Sequence, residues 1–396
     1  MVSGAFCLRS ATIVYAMKNL NRRDFLLSTS AAALVASVAP RLAAAPAAVG
    51  KQRVFVGSGT DQGILAYDWD GAKGELTAAG VAATLPNATW IALSPGHEYL
   101  YAATEADSFN GKPTGEVSSF RVEKGGLTPL SAQNSAAAGT CHVGLDHSGR
   151  VLVSADYGGG SAASFLIGQG RLSPAVWSEH YSGHGPVADR QASAHAHFAS
   201  FSPENRYTYI NDLGSDCIHI YKLNAATAEL MAAGSYRARA GAGPRTLHFH
   251  PNGRTAYSVN ELDSTVDVLS YRPGDGSLTL VTRIEMLPEG YKGITRACDT
   301  VISRDGRSVY FANRDNDFLY SFHADARSGA LTPMARTPSG GRIPRNFTLD
   351  PTERWMLVAN QDSNLVTVFA RNPQSAELAT EGKSFAAAKP MCIVFV

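Results

Sequence analysis

His250-Pro251-Asn252-Gly253-Arg254-Thr255-Ala256-Tyr257 reads as a tight turn that runs at once into a strand. Pro and Asn-Gly preset the backbone angles of the turn, and Thr255 and Tyr257 favour extended structure. The same phrase recurs along the chain. Ser94-Pro95-Gly96-His97 precedes Tyr99-Leu100-Tyr101, and Asp146-His147-Ser148-Gly149 precedes Val151-Leu152-Val153. Ser202-Pro203-Glu204-Asn205 precedes Tyr207-Thr208-Tyr209, Ser303-Arg304-Asp305-Gly306 precedes Ser308-Val309-Tyr310, and Asp350-Pro351-Thr352-Glu353 precedes Trp355-Met356-Leu357. Successive copies lie 52, 56, 48, 53 and 47 residues apart. That spacing accommodates one four-stranded blade of a β-propeller.

Other parts of each period agree. Cys217-Ile218-His219-Ile220-Tyr221 and Leu365-Val366-Thr367-Val368-Phe369 alternate as strands do. Gly-Xaa-Leu turns such as Gly170-Arg171-Leu172 and Gly276-Ser277-Leu278 lead into a fourth strand. A seventh copy is divided between the chain ends. Arg53-Val54-Phe55-Val56-Gly57 and Ile64-Leu65-Ala66-Tyr67 lack a first strand, which Met391-Cys392-Ile393-Val394-Phe395-Val396 can supply. The expected fold over residues 51–396 is therefore all-β: a seven-bladed β-propeller of four-stranded antiparallel blades, closed by its C-terminal strand. A sandwich or a two-domain chain fits less well, because no linker interrupts the period. One stretch, Tyr157 to Gln191, is rich enough in Gly, Ser and His to read as an inserted loop.

Composition narrows the functional classes. The 396 residues carry a formal net charge of +1 and are 44% hydrophobic, with no basic bias toward nucleic acid. Residues 1–45 differ from the rest. Asn21-Arg22-Arg23-Asp24-Phe25-Leu26-Leu27 precedes an uncharged run from Ser28 to Pro40, with small residues at Ala43-Ala44-Ala45. This pattern reads as a twin-arginine export signal, which places the mature chain in the periplasm or outside the cell. The apolar run is short for a bilayer span, so no stable membrane insertion is expected after leader removal. A monomer is expected. Cys141, Cys217, Cys298 and Cys392 show neither zinc-type spacing nor a disulfide framework.

The first strand of each propeller blade faces the central channel, so residues just before the Ser-Pro-like turns converge. Those places hold His195 and His197, Arg245, Arg296 and Arg345, with His142 in another blade. Glu261 follows the second strand of its blade and returns to the end where Arg245 lies. Arginines grip carboxylate or phosphate bidentately, while His or Glu can move protons. A pocket for a small anionic molecule is the expectation. Isolated channel arginines often only satisfy neighbouring carbonyls, but five polar residues at equivalent places argue for a site. No metal and no cofactor are expected, since no carboxylate lies at a matching position beside His195 and His197. No Gly-Xaa-Ser-Xaa-Gly elbow or phosphate-binding glycine loop is present.

His195-Ala196-His197-Phe198, Gly243-Pro244-Arg245, Tyr257-Ser258-Val259-Asn260-Glu261-Leu262 and Val358-Ala359-Asn360-Gln361-Asp362-Ser363 carry a family likeness. From about Arg53 onward the chain resembles the lactonase-type seven-bladed propellers that include 6-phosphogluconolactonase and carboxymuconate cyclase. The resemblance implies a metal-free site in which His197, Arg245, Glu261 and Arg296 do the chemistry. His195, Arg345, Asn260 and His142 are then the expected substrate contacts. With an export leader, the implied activity is periplasmic hydrolysis of a sugar or related anionic lactone. Glu261 or His197 would take the proton from water. A muconate-type cycloisomerase and a non-catalytic ligand- or protein-binding propeller are the alternatives.

Overall fold

The computed structural model describes residues 52–124 and 126–396; the twin-arginine leader expected over residues 1–45, and Cys7, lie outside them. Among the described residues the strands form seven antiparallel sheets. The first strands of the blades are Pro390–Phe395, Ala88–Leu93, Thr140–Leu145, Ala196–Phe201, Pro244–Phe249, Ala297–Ile302 and Pro344–Leu349. Each packs against the first strand of the next blade, right round a closed ring. The second strands are Gln52–Ser58, Tyr99–Thr104, Val151–Asp156, Tyr207–Asp212, Thr255–Asn260, Ser308–Asn313 and Trp355–Asn360. Blade 1 joins the chain ends: Val54 pairs with Phe395 and Val56 with Ile393.

The core lies between blades. Tyr209, Ile218 and Ile220 of blade 4 pack against Leu247, Ala256 and Leu269 of blade 5. The repeated aromatic of the second strand also reaches the neighbouring blade. Tyr209 donates its hydroxyl hydrogen to the Gly276 carbonyl at 2.8 Å, and Tyr257 donates to Gly329 at 2.7 Å. Gly276 has φ +75, and a Cβ there would lie 2.6 Å from the Tyr207 ring, so the Gly-Xaa-Leu turn needs its glycine for both conformation and space.

The sequence from Tyr157 to Gln191 is not one loop. It contains the third strand of blade 3, Ser161–Gly168, whose outer edge is shared by Arg171–Leu172 and Trp177–His180. The irregular segment begins only at Tyr181 and ends before blade 4. It crosses the channel end where the first strands start, which brings Arg190 to the site.

One irregularity repeats in every blade. Between first and second strand the register slips at the second residue of the first strand. A bulge re-aims the extra residue. The residues at these seven slips are Thr89, Cys141, His197, Arg245, Cys298, Arg345 and Met391, and all seven line one constriction of about 10 Å³ on the ring axis. That volume suits a single water at most.

Candidate active site

A second tier sits above the bulges, formed by the residue that follows each second strand. Its backbone is fixed the same way in successive blades: the N–H of Glu261 donates to Gly243 at 2.8 Å, that of Arg314 to Arg296 at 2.9 Å, that of Tyr157 to Gly139 at 2.8 Å, and that of Glu105 to Asn87 at 3.2 Å. The last residue of the second strand anchors the turn from below. Asp156 accepts from the N–H groups of Ala136 and Ala137, and Asp212 accepts from His195 N–H.

The two tiers enclose a cavity of about 140 Å³. His197, Arg245 and Arg345 enter it from the bulges, Glu105, Tyr157, Glu261 and Arg314 from the upper tier, and Arg190 from the irregular segment of blade 3. Glu261 is its electrostatic centre. Its side chain is 1% exposed and meets Arg245 at 2.7 Å, Arg314 at 2.6 Å and Arg190 at 2.5 Å. Burial alone would raise its pKa, but Arg314, Arg245 and Arg190 outweigh burial and hold the carboxyl well below the usual range. Burial, with repulsion from Arg245 and Arg345, pulls Arg314 down to about 10 against the attraction of Glu261. Four guanidiniums against two carboxylates leave a surplus of positive charge facing the cavity.

His197 is buried, and burial with the nearby Arg245 charge pushes its pKa well below the normal imidazole value. The ring is neutral, and its Nε2 lone pair is occupied by Arg245 Nη1. Arg245 is held further by donation from its Nε to the Cys298 carbonyl at 2.8 Å. Arg345 is the least engaged guanidinium. Its contacts are Gln361 Oε1 at 3.4 Å and Glu105 at 3.6 Å.

Four sequence expectations need correction. Arg296 does not reach the cavity. In blade 6 the bulge equivalent to Arg245 falls at Cys298, so Arg296 stands two residues too early, on the rim, where its guanidinium grips Asp315 at 2.6 Å. Asn260 does not line the cavity. It is the anchoring last residue of its second strand, and its Nδ2 donates to Thr265 at 2.9 Å. His142 follows the bulge at Cys141 and points past the constriction toward the opposite mouth. There it packs on Trp90 and Phe198 and accepts the Ala199 N–H. His195, two residues before its bulge, stacks on Tyr157 at 4.4 Å and bonds the Tyr157 carbonyl. It supports the wall of the cavity from behind.

Arg314, Glu105 and Tyr157 are not among the site residues expected from the sequence, although the signal for them is present. Each occupies the position of Glu261 in its own blade, one residue past the second strand. Arg190 had no such register signal, because its segment lies outside the repeat.

Among the described residues, no three or more His, Cys, Asp or Glu gather in metal-binding geometry.

Comparison with known proteins adds relatives to this geometry. A family model described as lactonase, 7-bladed β-propeller, matches residues 53–395. The 6-phosphogluconolactonase of Bacillus subtilis is 30% identical over 341 residues, covering 85% of this chain and 95% of that protein. The 6-phosphogluconolactonase of Formosa agariphila is 31% identical over 337 residues, covering 82% and 94%. Among solved structures, the periplasmic gluconolactonase PpgL of Pseudomonas aeruginosa superposes with a TM-score of 0.82 at 32% identity, covering 87% of this chain and 99% of that one.

Proposed function

The chain belongs to the seven-bladed β-propeller lactonase family, and from that membership we propose that it hydrolyses a sugar-derived or related anionic lactone without a metal ion. The observation that carries this reading is the arginine-rich cavity, in which three guanidiniums are tied to a buried carboxylate while Arg345 keeps most of its donors free. A guanidinium suits both a carboxylate or phosphate group and the oxyanion that forms when water adds to a lactone carbonyl. The cavity is smaller than the roughly 300 Å³ at which pockets for drug-sized ligands begin, which favours a ligand of few heavy atoms.

Water adds to the carbonyl carbon, and its electron pair displaces the carbonyl π pair onto oxygen beside a guanidinium. Collapse then breaks the ring C–O bond, and the ring oxygen leaves with a proton as a hydroxyl. Fixed charge stabilisation of this kind contributes about 3–4 kcal/mol per donor. Glu261 serves as the counter-ion that holds Arg245, Arg314 and Arg190 in place, and neutral His197 orients Arg245. The twin-arginine leader and the likeness to a periplasmic gluconolactonase favour action in the periplasm.

The test is hydrolysis of glucono-, galactono- and 6-phosphogluconolactone by purified protein, followed by acid release in the presence of a chelator. Turnover above the spontaneous rate is expected, weakened in Arg345→Ala. No acceleration of any lactone overturns the reading, and binding of an aldonate without turnover marks a binding propeller instead.

A further inference from the structure

The lactonase reading leaves one role unassigned, the group that takes the proton from water. Neither Glu261 nor His197 is free for it. Glu261 carries three arginines on its two oxygens. His197 has spent its Nε2 lone pair on Arg245. The Tyr157 hydroxyl oxygen accepts from Arg190 at 3.2 Å.

Resting on that reading, we infer that Glu105 is the general base, a carboxylate held at the cavity wall by its backbone and left open at its side chain. Its N–H donates to the Asn87 carbonyl at 3.2 Å, and its own carbonyl accepts from Asn87 Nδ2 at 3.0 Å. These two bonds clamp the main chain in the same upper-tier register that positions Glu261. The carboxylate itself meets a single cation, Arg345, at 3.6 Å, beyond hydrogen-bond distance. With a side chain 31% exposed, it keeps lone pairs available to a water. The pairing also divides the labour. Arg345 lies close enough to hold the lactone carbonyl while Glu105 faces the water that attacks it. Glu105 accepts the water proton as the new C–O bond forms. It returns that proton to the ring oxygen as the old C–O bond breaks. The product acid then ionises, releasing one proton to solvent.

The experiment compares wild type, Glu105→Gln and Glu105→Asp on whichever lactone wild type turns over best. Loss of a general base lowers rate by about 10²- to 10⁴-fold. The expected result for Glu105→Gln is a fall of that size in kcat, with KM within about threefold and an unchanged thermal midpoint. Glu105→Asp should recover part of kcat, and formate should partly rescue Glu105→Ala. A Glu105→Gln enzyme with kcat near wild type overturns the assignment while leaving the lactonase reading intact. So does a defect confined to KM. Absence of turnover in wild type itself overturns the lactonase reading, and the assignment falls with it.

Discussion

The Arg245 guanidinium meets the Glu261 carboxylate at 2.7 Å, both side chains almost wholly removed from solvent. They lie sixteen positions apart in the chain. One sits on the bulge of the first strand of blade 5, the other just past the second strand. Their meeting joins the two tiers that form the cavity. Arg314 comes to the same carboxylate from blade 6 and Arg190 from the segment after blade 3, so Glu261 ties together separate parts of the ring.

Replacing Glu261 with Gln strands two buried guanidiniums. Removal of one partner from a buried ion pair costs about 3–5 kcal/mol. Glu261→Gln should therefore unfold at clearly lower denaturant, measured by equilibrium urea unfolding. A midpoint equal to wild type would show that the arginines find other counter-ions.

Acid should act through the same group. Glu261 titrates well below 4.5 when folded and near its ordinary 4.5 when unfolded. Below about pH 4.5 the unfolded chain binds a proton that the folded chain refuses, so its contribution is complete above that pH and is lost as pH falls toward the folded value. Thermal midpoints recorded from pH 7 to pH 3 should fall more steeply in wild type than in Glu261→Gln.

Arg314 and Arg296 should separate in kinetics. Arg314→Ala removes a guanidinium that faces the cavity, and a loss of about 10²-fold or more in kcat/KM is expected from the size of such electrostatic contributions. Arg296→Ala removes a rim ion pair with Asp315 and should change kcat/KM by less than about fivefold, as exposed pairs contribute little. Equal losses would mean that Arg296 leaves Asp315 when substrate binds.

Deleting residues 390–396 removes the first strand of blade 1, exposes the edge of Gln52–Ser58 and takes Met391 from the axis. Because the core lies between blades, loss of this strand uncovers the apolar faces of blades 7 and 2 that pack against it. The truncated chain should lack a cooperative unfolding transition, as read by near-UV circular dichroism during heating.

The thiols should be silent. Cys141, Cys217, Cys298 and Cys392 are buried and unpaired, and burial pushes Cys298 and Cys392 up to about 12. A Cys7→Ser chain should give no rapid reaction with a thiol-disulfide reagent at pH 8, and four reactive thiols after denaturation.

The blade count, the closing C-terminal strand and the presence of His197, Arg245 and Arg345 on the channel were legible in the residues, because turn spacing and strand alternation are local properties repeated along the chain. What tertiary structure decided was register and company. A bulge adds one residue without any mark in composition, and a shift of one residue turns a strand side chain to a different face. That is why Arg296 lies on the rim while Cys298 takes the place of Arg245, and why His142 faces the other mouth. Ion pairs made across blades are equally invisible along the chain. The chain places Glu261 at the same end of its blade as Arg245, but only the folded ring brings Arg190 and Arg314 onto it as well and leaves Glu105 as the open carboxylate.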